Sequence, residues 1–175
     1  VPTVFNILGP LANPAKPKSA AIGVANERMH LVMAQVLGDR GIDGFVFRGD
    51  DGLDEITLAT TTQVLTIGNG EIESGVIDPN EFGIVNAPVS ALVGGDANEN
   101  AKIAHSIFDG ELGAPRDAVL LNSAAAIAAY NNDVELDLNS RFEDSLAAAK
   151  QAIDSGATKD LLSRWAKLTQ AIVNS

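Results

Sequence analysis

Two adjacent carboxylates, Asp54 and Glu55, close an acidic run, Gly49-Asp50-Asp51-Gly52-Leu53-Asp54-Glu55, that follows a compact apolar stretch at 43–47. The apolar stretch reads as a buried strand, so the run falls at a strand's carboxyl end, where open α/β sheets bind ligands. Neighbouring carboxylates on an irregular loop can face one hard cation, and magnesium takes a few such oxygens together with water and phosphate oxygens. Asp54 and Glu55 are therefore candidate metal ligands. A bare Asp-Glu pair is also commonly a cap beside a solvated residue, and composition alone does not choose between the two. Asp50 and Asp51 precede Gly52 and read as turn formers, whose side chains bond nearby backbone.

The second segment of interest is 1–14, VPTVFNILGPLANP, a Gly-, Pro- and Asn-rich stretch that reads as a shaped loop. Loops of this kind carry sites. Gly9 permits close backbone approach and Pro10 supplies a rigid apolar wall, a pairing suited to one side of a flat aromatic ligand, although a plain tight turn uses the same residues. Asn6 and Asn13 read as partners of the loop's own backbone. Gly94-Gly95-Asp96 precedes a helix, but the Asp96 carboxylate would occupy the free amides as a cap and repel a phosphate. Thr57, Thr60, Thr61 and Thr62 place hydroxyls near the acidic run, where backbone bonding is their commoner use. His30 and His105 sit in helical patterns with no second ligand at a useful spacing. A nucleophile elbow and a His-Glu-x-x-His pattern are both missing, which leaves covalent catalysis and zinc hydrolysis unsupported.

Phe5-Asn6-Ile7-Leu8-Gly9-Pro10-Leu11 with Asn13-Pro14 resembles the signature of the anthranilate phosphoribosyltransferases, which join anthranilate to the ribose of phosphoribosyl pyrophosphate in tryptophan biosynthesis. Two later segments agree in order and spacing: the acidic run with its Thr-rich sequel, and Pro115-Arg116-Asp117-Ala118-Val119-Leu120-Leu121-Asn122. The resemblance spans essentially the whole chain and implies an α/β fold, a mixed and mainly parallel sheet flanked by helices, as in the large domain of nucleoside phosphorylase-like phosphoribosyltransferases. It implies that residues 1–175 form one such domain, with a helical domain, a Gly-rich phosphate loop and a Lys-bearing segment upstream of Val1. It assigns Gly9 and Pro10 to the anthranilate pocket, and Asp54 and Glu55 to a magnesium ion beside the pyrophosphate. Arg116-Asp117 reads as a first-turn pair that holds the fold. The expected enzyme is a magnesium-dependent pentosyltransferase, homodimeric as the full-length protein, while the chain alone is expected to be inactive. The alternatives are a pyrimidine nucleoside phosphorylase-like enzyme and a non-catalytic folding or binding module.

The chain has 175 residues, 46% of them hydrophobic, enough for one domain with a substantial core. Its formal net charge of -11 argues against nucleic acid as a partner, because phosphate recognition rests on Lys and Arg. An anionic sugar pyrophosphate then needs a cation, or a phosphate cradle elsewhere. No unbroken apolar run reaches the length of a membrane span, and zero cysteines are consistent with a cytoplasmic setting.

The elements that would position these residues follow from periodicity. Residues 18–25 read as a short strand and 27–39 as a helix with Met29, Val32, Met33, Val36 and Leu37 on one face, ended by Gly41. With the strand at 43–47 this makes a parallel crossover unit. Residues 63–67 and 73–77 flank Gly68-Asn69-Gly70 and predict a hairpin. Four helices follow from Asp96 onward. Asp96 with Glu99 and Ser140 with Glu143 are expected capping pairs, Pro115 a helix start, and Gly156 a break before a helix with Leu161, Leu162, Trp165 and Leu168 on its core face.

Overall fold

The structure is a computed structural model and describes residues 5–173. Among these, ten regular elements run in the order α1 (Phe5–Leu11), β1 (Ser19–Gly23), α2 (Glu27–Asp39), β2 (Asp43–Gly49), β3 (Thr62–Gly68), β4 (Glu71–Ile77), α3 (Ala97–Phe108), α4 (Ala114–Asn131), α5 (Leu138–Asp154) and α6 (Ala157–Val173). Two short 3₁₀ turns, Pro79–Phe82 and Val89–Leu92, join β4 to α3. Among the described residues no helix is long and apolar enough to cross a membrane.

The four strands lie in the order β1-β2-β3-β4. β1 and β2 pair in parallel across α2, so the expected crossover unit is present. β2–β3 and β3–β4 are antiparallel, with Gly44 opposite Ile67 and Thr62 opposite Ile77. The sheet is therefore mixed but mostly antiparallel, which corrects the mainly parallel expectation: among the described residues, the one connection carrying a helix between neighbouring strands is β1-α2-β2. The β3–β4 turn places Asn69 and Gly70 at φ of 52° and 82°, the double left-handed geometry that makes Asn-Gly a hairpin signal.

β2 is buried on both faces. Phe45 and Phe47 point into the larger core, with Val64, Ile56, Leu58 and the inner faces of α4 and α5. Val46 points the other way, with Ile67, Met33, Ala34 and Leu37 beneath α2. α2 begins where Asn26 Oδ1 accepts the Met29 amide at 3.2 Å and ends before Gly41. α4 is rich in alanine, and Ala124, Ala125, Ala128 and Ala129 are all buried, so α5 approaches closely and Phe142 meets Phe45 edge-on at 5.6 Å.

Three further expectations change. Residues 5–11 form a short helix rather than a shaped loop, with Pro10 inside its last turn, where the missing N–H removes one helical bond and the helix ends one residue later; residues 1–4 of the same stretch lie outside the described residues. α5 starts at Leu138 with Asp137 as its cap, and the Ser140 amide and hydroxyl both donate to Asp137, so Ser140 lies inside the helix. α6 buries none of its residues: Leu161, Trp165 and Leu168 stand exposed, Trp165 at 64%. Its apolar stripe is real, but the larger core is already closed by α4 and α5.

Candidate functional site

The acidic run leaves β2 and folds into a loop braced almost entirely by its own polar groups. The Thr61 hydroxyl donates to Asp50 at 2.5 Å, and Gln63 Nε2 donates to the same carboxylate at 3.1 Å. Asp51 accepts the Thr57 hydroxyl at 2.6 Å and the Leu53 amide at 3.1 Å. These are the turn-forming roles expected of Asp50 and Asp51, and the hydroxyls of Thr57, Thr61 and Thr62 are spent on the loop itself. Thr57 Oγ1 also accepts the Ala59 amide at 3.0 Å, and Thr62 Oγ1 accepts the Thr57 amide at 3.1 Å.

Below the run the backbone is anchored to the core. Ile56, Thr57 and Leu58 are buried, and Asn122 on α4 grips Ile56 from both sides. Asn122 Oδ1 accepts the Ile56 amide at 2.9 Å, while its Nδ2 donates to the carbonyls of Ile56 and Ala118 at 3.0 Å each. The motif 115–122 marks this residue, but only the tertiary contact gives it a task. On the other side, Gly23 ends β1 against the loop: a Cβ there would lie 1.6 Å from the Asp54 carbonyl oxygen. The loop thus sits on the carboxyl ends of the parallel pair β1–β2.

Asp54 and Glu55 are the two carboxylates this bracing leaves over. Both are exposed, and neither side chain has a hydrogen bond or ion pair among the described residues. Two hard oxygen donors on a fixed backbone suit part of a magnesium shell, with water and phosphate oxygens completing it. Among the described residues no three His, Cys, Asp or Glu groups converge as a metal cage.

Gly9 and Pro10 lie elsewhere. Both are exposed, and nothing stands within 4 Å of a Cβ built on Gly9. Pro10 borders a cleft of about 600 Å³ with Lys18 and Ala20 at the start of β1 and Arg40 and Gly41 at the end of α2. Arg40 Nη1 donates to the Leu11 carbonyl at 2.5 Å. This is the amino edge of β1, and Asp54 sits at its carboxyl edge, about 16 Å away by the rise of a five-residue strand. The structure does not bring the two candidate pairs together.

The remaining expectations fall out simply. Asn13 Oδ1 accepts the Ala15 amide at 2.9 Å, as a loop former; the Asn6 side chain lies outside the described residues. Asp96 caps α3 by accepting the amides of Asn98 and Glu99 at 2.9 Å. His30 Nε2 donates to the Val46 carbonyl at 2.9 Å, a structural use. Burial raises the Asp117 carboxyl above its ordinary range, opposed by Lys150 and Arg116.

The sequence model of the glycosyl transferase family, a/b domain, matches residues 1–159. The chain belongs to that family. It is 47% identical over its whole length to anthranilate phosphoribosyltransferase from Rhodococcus jostii, strain RHA1, of which it covers 48%. It is likewise 47% identical over 170 residues to that of Arthrobacter sp., strain FB24. The chain spans about half the length of the curated relatives it matches. Among solved structures, anthranilate phosphoribosyltransferase from Thermus thermophilus superposes on 94% of the chain with a TM-score of 0.79 at 34% identity, and 47% of that chain is covered. The Saccharomyces cerevisiae enzyme in complex with PRPP and Mg superposes with a TM-score of 0.74 at 25% identity, over 89% of this chain and 44% of the other.

Proposed function

We propose that this chain is half of an anthranilate phosphoribosyltransferase, the part that supplies carboxylates for a magnesium–pyrophosphate group. The carrying observation is the pair Asp54 and Glu55, unpaired on a loop whose neighbouring carboxylates and hydroxyls are engaged with one another. Neither carboxylate has to break a hydrogen bond or ion pair among the described residues before it meets a cation. The names of the relatives favour the transferase over a nucleoside phosphorylase, and the yeast structures carrying Mg, PRPP and 4-fluoroanthranilate support the substrate classes.

In the implied reaction the amine of anthranilate attacks the ribose carbon that bears pyrophosphate, and pyrophosphate leaves. Little protein acid or base is required, so positioning and charge neutralisation carry the rate. Magnesium, when bound, would neutralise charge on the leaving group. Asp54 and Glu55 would orient it, and Asn122 would hold their loop at the sheet edge. Gly9 and Pro10 would border the acceptor. Their present distance from Asp54 is within reach of the connection 12–18, which spans up to about 24 Å when extended, once Arg40 releases the Leu11 carbonyl.

The test uses Asp54→Asn with Glu55→Gln in the full-length enzyme that carries this segment. Turnover at limiting magnesium should fall at least about tenfold, as loss of a charge-assisted contact implies, with the unfolding midpoint unchanged. Wild-type rates at limiting magnesium would refute the assignment. The chain by itself, assayed by loss of anthranilate fluorescence, should show no turnover; steady turnover would show a complete site within it.

A further inference from the structure

We propose that the cleft between α3 and the start of α4 is a second small-molecule site, which takes a monocarboxylate with an aliphatic body. The cleft measures about 360 Å³ and is lined by Lys102, Ile103, Ser106 and Ile107 of α3, by Glu111 and Leu112 of the connection, and by Pro115 and Arg116 of α4. It shares no lining residue with the Pro10 cleft, and no residue of the acidic run lines it.

Arg116 carries the argument. Its side chain is 6% exposed, and its Nη2 is held by Asp154 at 2.6 Å. Its Nη1 is buried without any partner among the described residues. A buried cationic N–H with nothing to receive it keeps its desolvation penalty uncompensated, so such a group calls for an acceptor that the chain does not provide. The helix that carries it begins at the cleft: α4 runs for 18 residues behind Gly113, which offers no side-chain cap, and Pro115 and Arg116 of its first turn line the cleft. Lys102, with no ion pair among the described residues, and the Ser106 hydroxyl stand on the opposite wall.

Charge and lining set the class of ligand. Two cations and one carboxylate, Glu111, line the cleft, and Asp154 already neutralises part of Arg116, which fits one negative charge better than two. Asp117 shares the first turn of α4 but does not line the cleft. The walls are Ile103, Ile107, Leu112 and Pro115, with no aromatic ring among them. Pockets that combine apolar walls with a few convergent polar groups are the usual form of a small-molecule site.

The experiment titrates the 175-residue chain with cyclohexanecarboxylate, with the neutral cyclohexylmethanol and with inorganic phosphate, followed by methyl NMR. The carboxylate should bind saturably and about tenfold more tightly than the alcohol, as a charge-assisted hydrogen bond requires, and shift the methyls of Ile103, Ile107 and Leu112. Lys102→Met should weaken the carboxylate severalfold and leave the alcohol unchanged. Asp154→Asn, at a largely exposed position, should strengthen carboxylate binding, since it frees Nη2; a purely structural Arg116 would give no such gain. The proposal is overturned if no ligand saturates, if acid and alcohol bind alike, if phosphate binds as tightly as the carboxylate, or if the shifts fall on other methyls.

Discussion

Replacing Asn122 by Ala should unfasten the candidate loop from the core. Three hydrogen bonds are lost, and the Ile56 amide and carbonyl are left behind in a residue that is 1% exposed. Each stranded backbone group costs about 1–3 kcal/mol. Ala118 is less affected, because its carbonyl keeps its helical environment. The sum is about 2–6 kcal/mol, a large share of the roughly 5–15 kcal/mol that typically stabilises a domain. With a urea m-value of about 2 kcal/mol/M the midpoint should fall by about 1–3 M. Hydrogen exchange should accelerate at Ile56, Thr57 and Leu58 before it does in β2. Asn122→Asp keeps the shape and the acceptor for the Ile56 amide but turns an oxygen toward two carbonyls, so it should cost at least as much at neutral pH. A midpoint change equivalent to less than about 0.5 kcal/mol, the spread of neutral surface substitutions, would refute the reasoning.

Gly23→Ala should be among the most damaging single-atom insertions, since its Cβ would overlap the Asp54 carbonyl at 1.6 Å; a displaced acidic loop, seen as shifted Asp54 and Glu55 amides, is the expected result. Gly9→Val, with open space around it, should change the stability of this chain by about 0.5 kcal/mol or less, so a loss of activity in the full-length enzyme would mark ligand contact. Gly70→Ala should cost about 1 kcal/mol through its φ of 82°, read as a lower melting temperature. Asp137→Ala should lower stability at neutral pH. The Ser140 amide and hydroxyl hold the Asp137 carboxyl below its ordinary 3.8, so its contribution is present above that pH and is lost as pH falls through the lower folded value. Melting curves of mutant and wild type should therefore converge in strong acid.

Elements whose ends carry their own chemistry were legible from the sequence. α2 has Asn26 before it and Gly41 after it, and the β3–β4 hairpin has Asn69-Gly70. Where two cappers compete, as Asp137 and Ser140 do, the sequence pattern favours the pair with a Glu three residues on, but the side chain that reaches the free amide decides. The antiparallel pairing of β2 with β3 rests on contacts made across the acidic loop, which periodicity does not record. The stripe on α6 was visible as a period, yet the period says nothing of what faces it. In the site, the acidic pair was readable as adjacent carboxylates at a strand end. The clamp of Asn122 on Ile56 was not, because an Asn in a helix gives no sign of the carbonyl it meets 66 positions away.

Trp165 is the chain's only tryptophan, and it stands on the exposed face of α6. Its intrinsic emission therefore reports the solvent around one terminal helix rather than the packing of Phe45 and Phe142. Native and denatured spectra should differ little, and the collapse of the core is better followed by circular dichroism. The same placement makes the indole a ready optical probe: any surface that covers the Leu161–Trp165–Leu168 stripe should move the emission to the blue and protect it from added quencher, with no label attached.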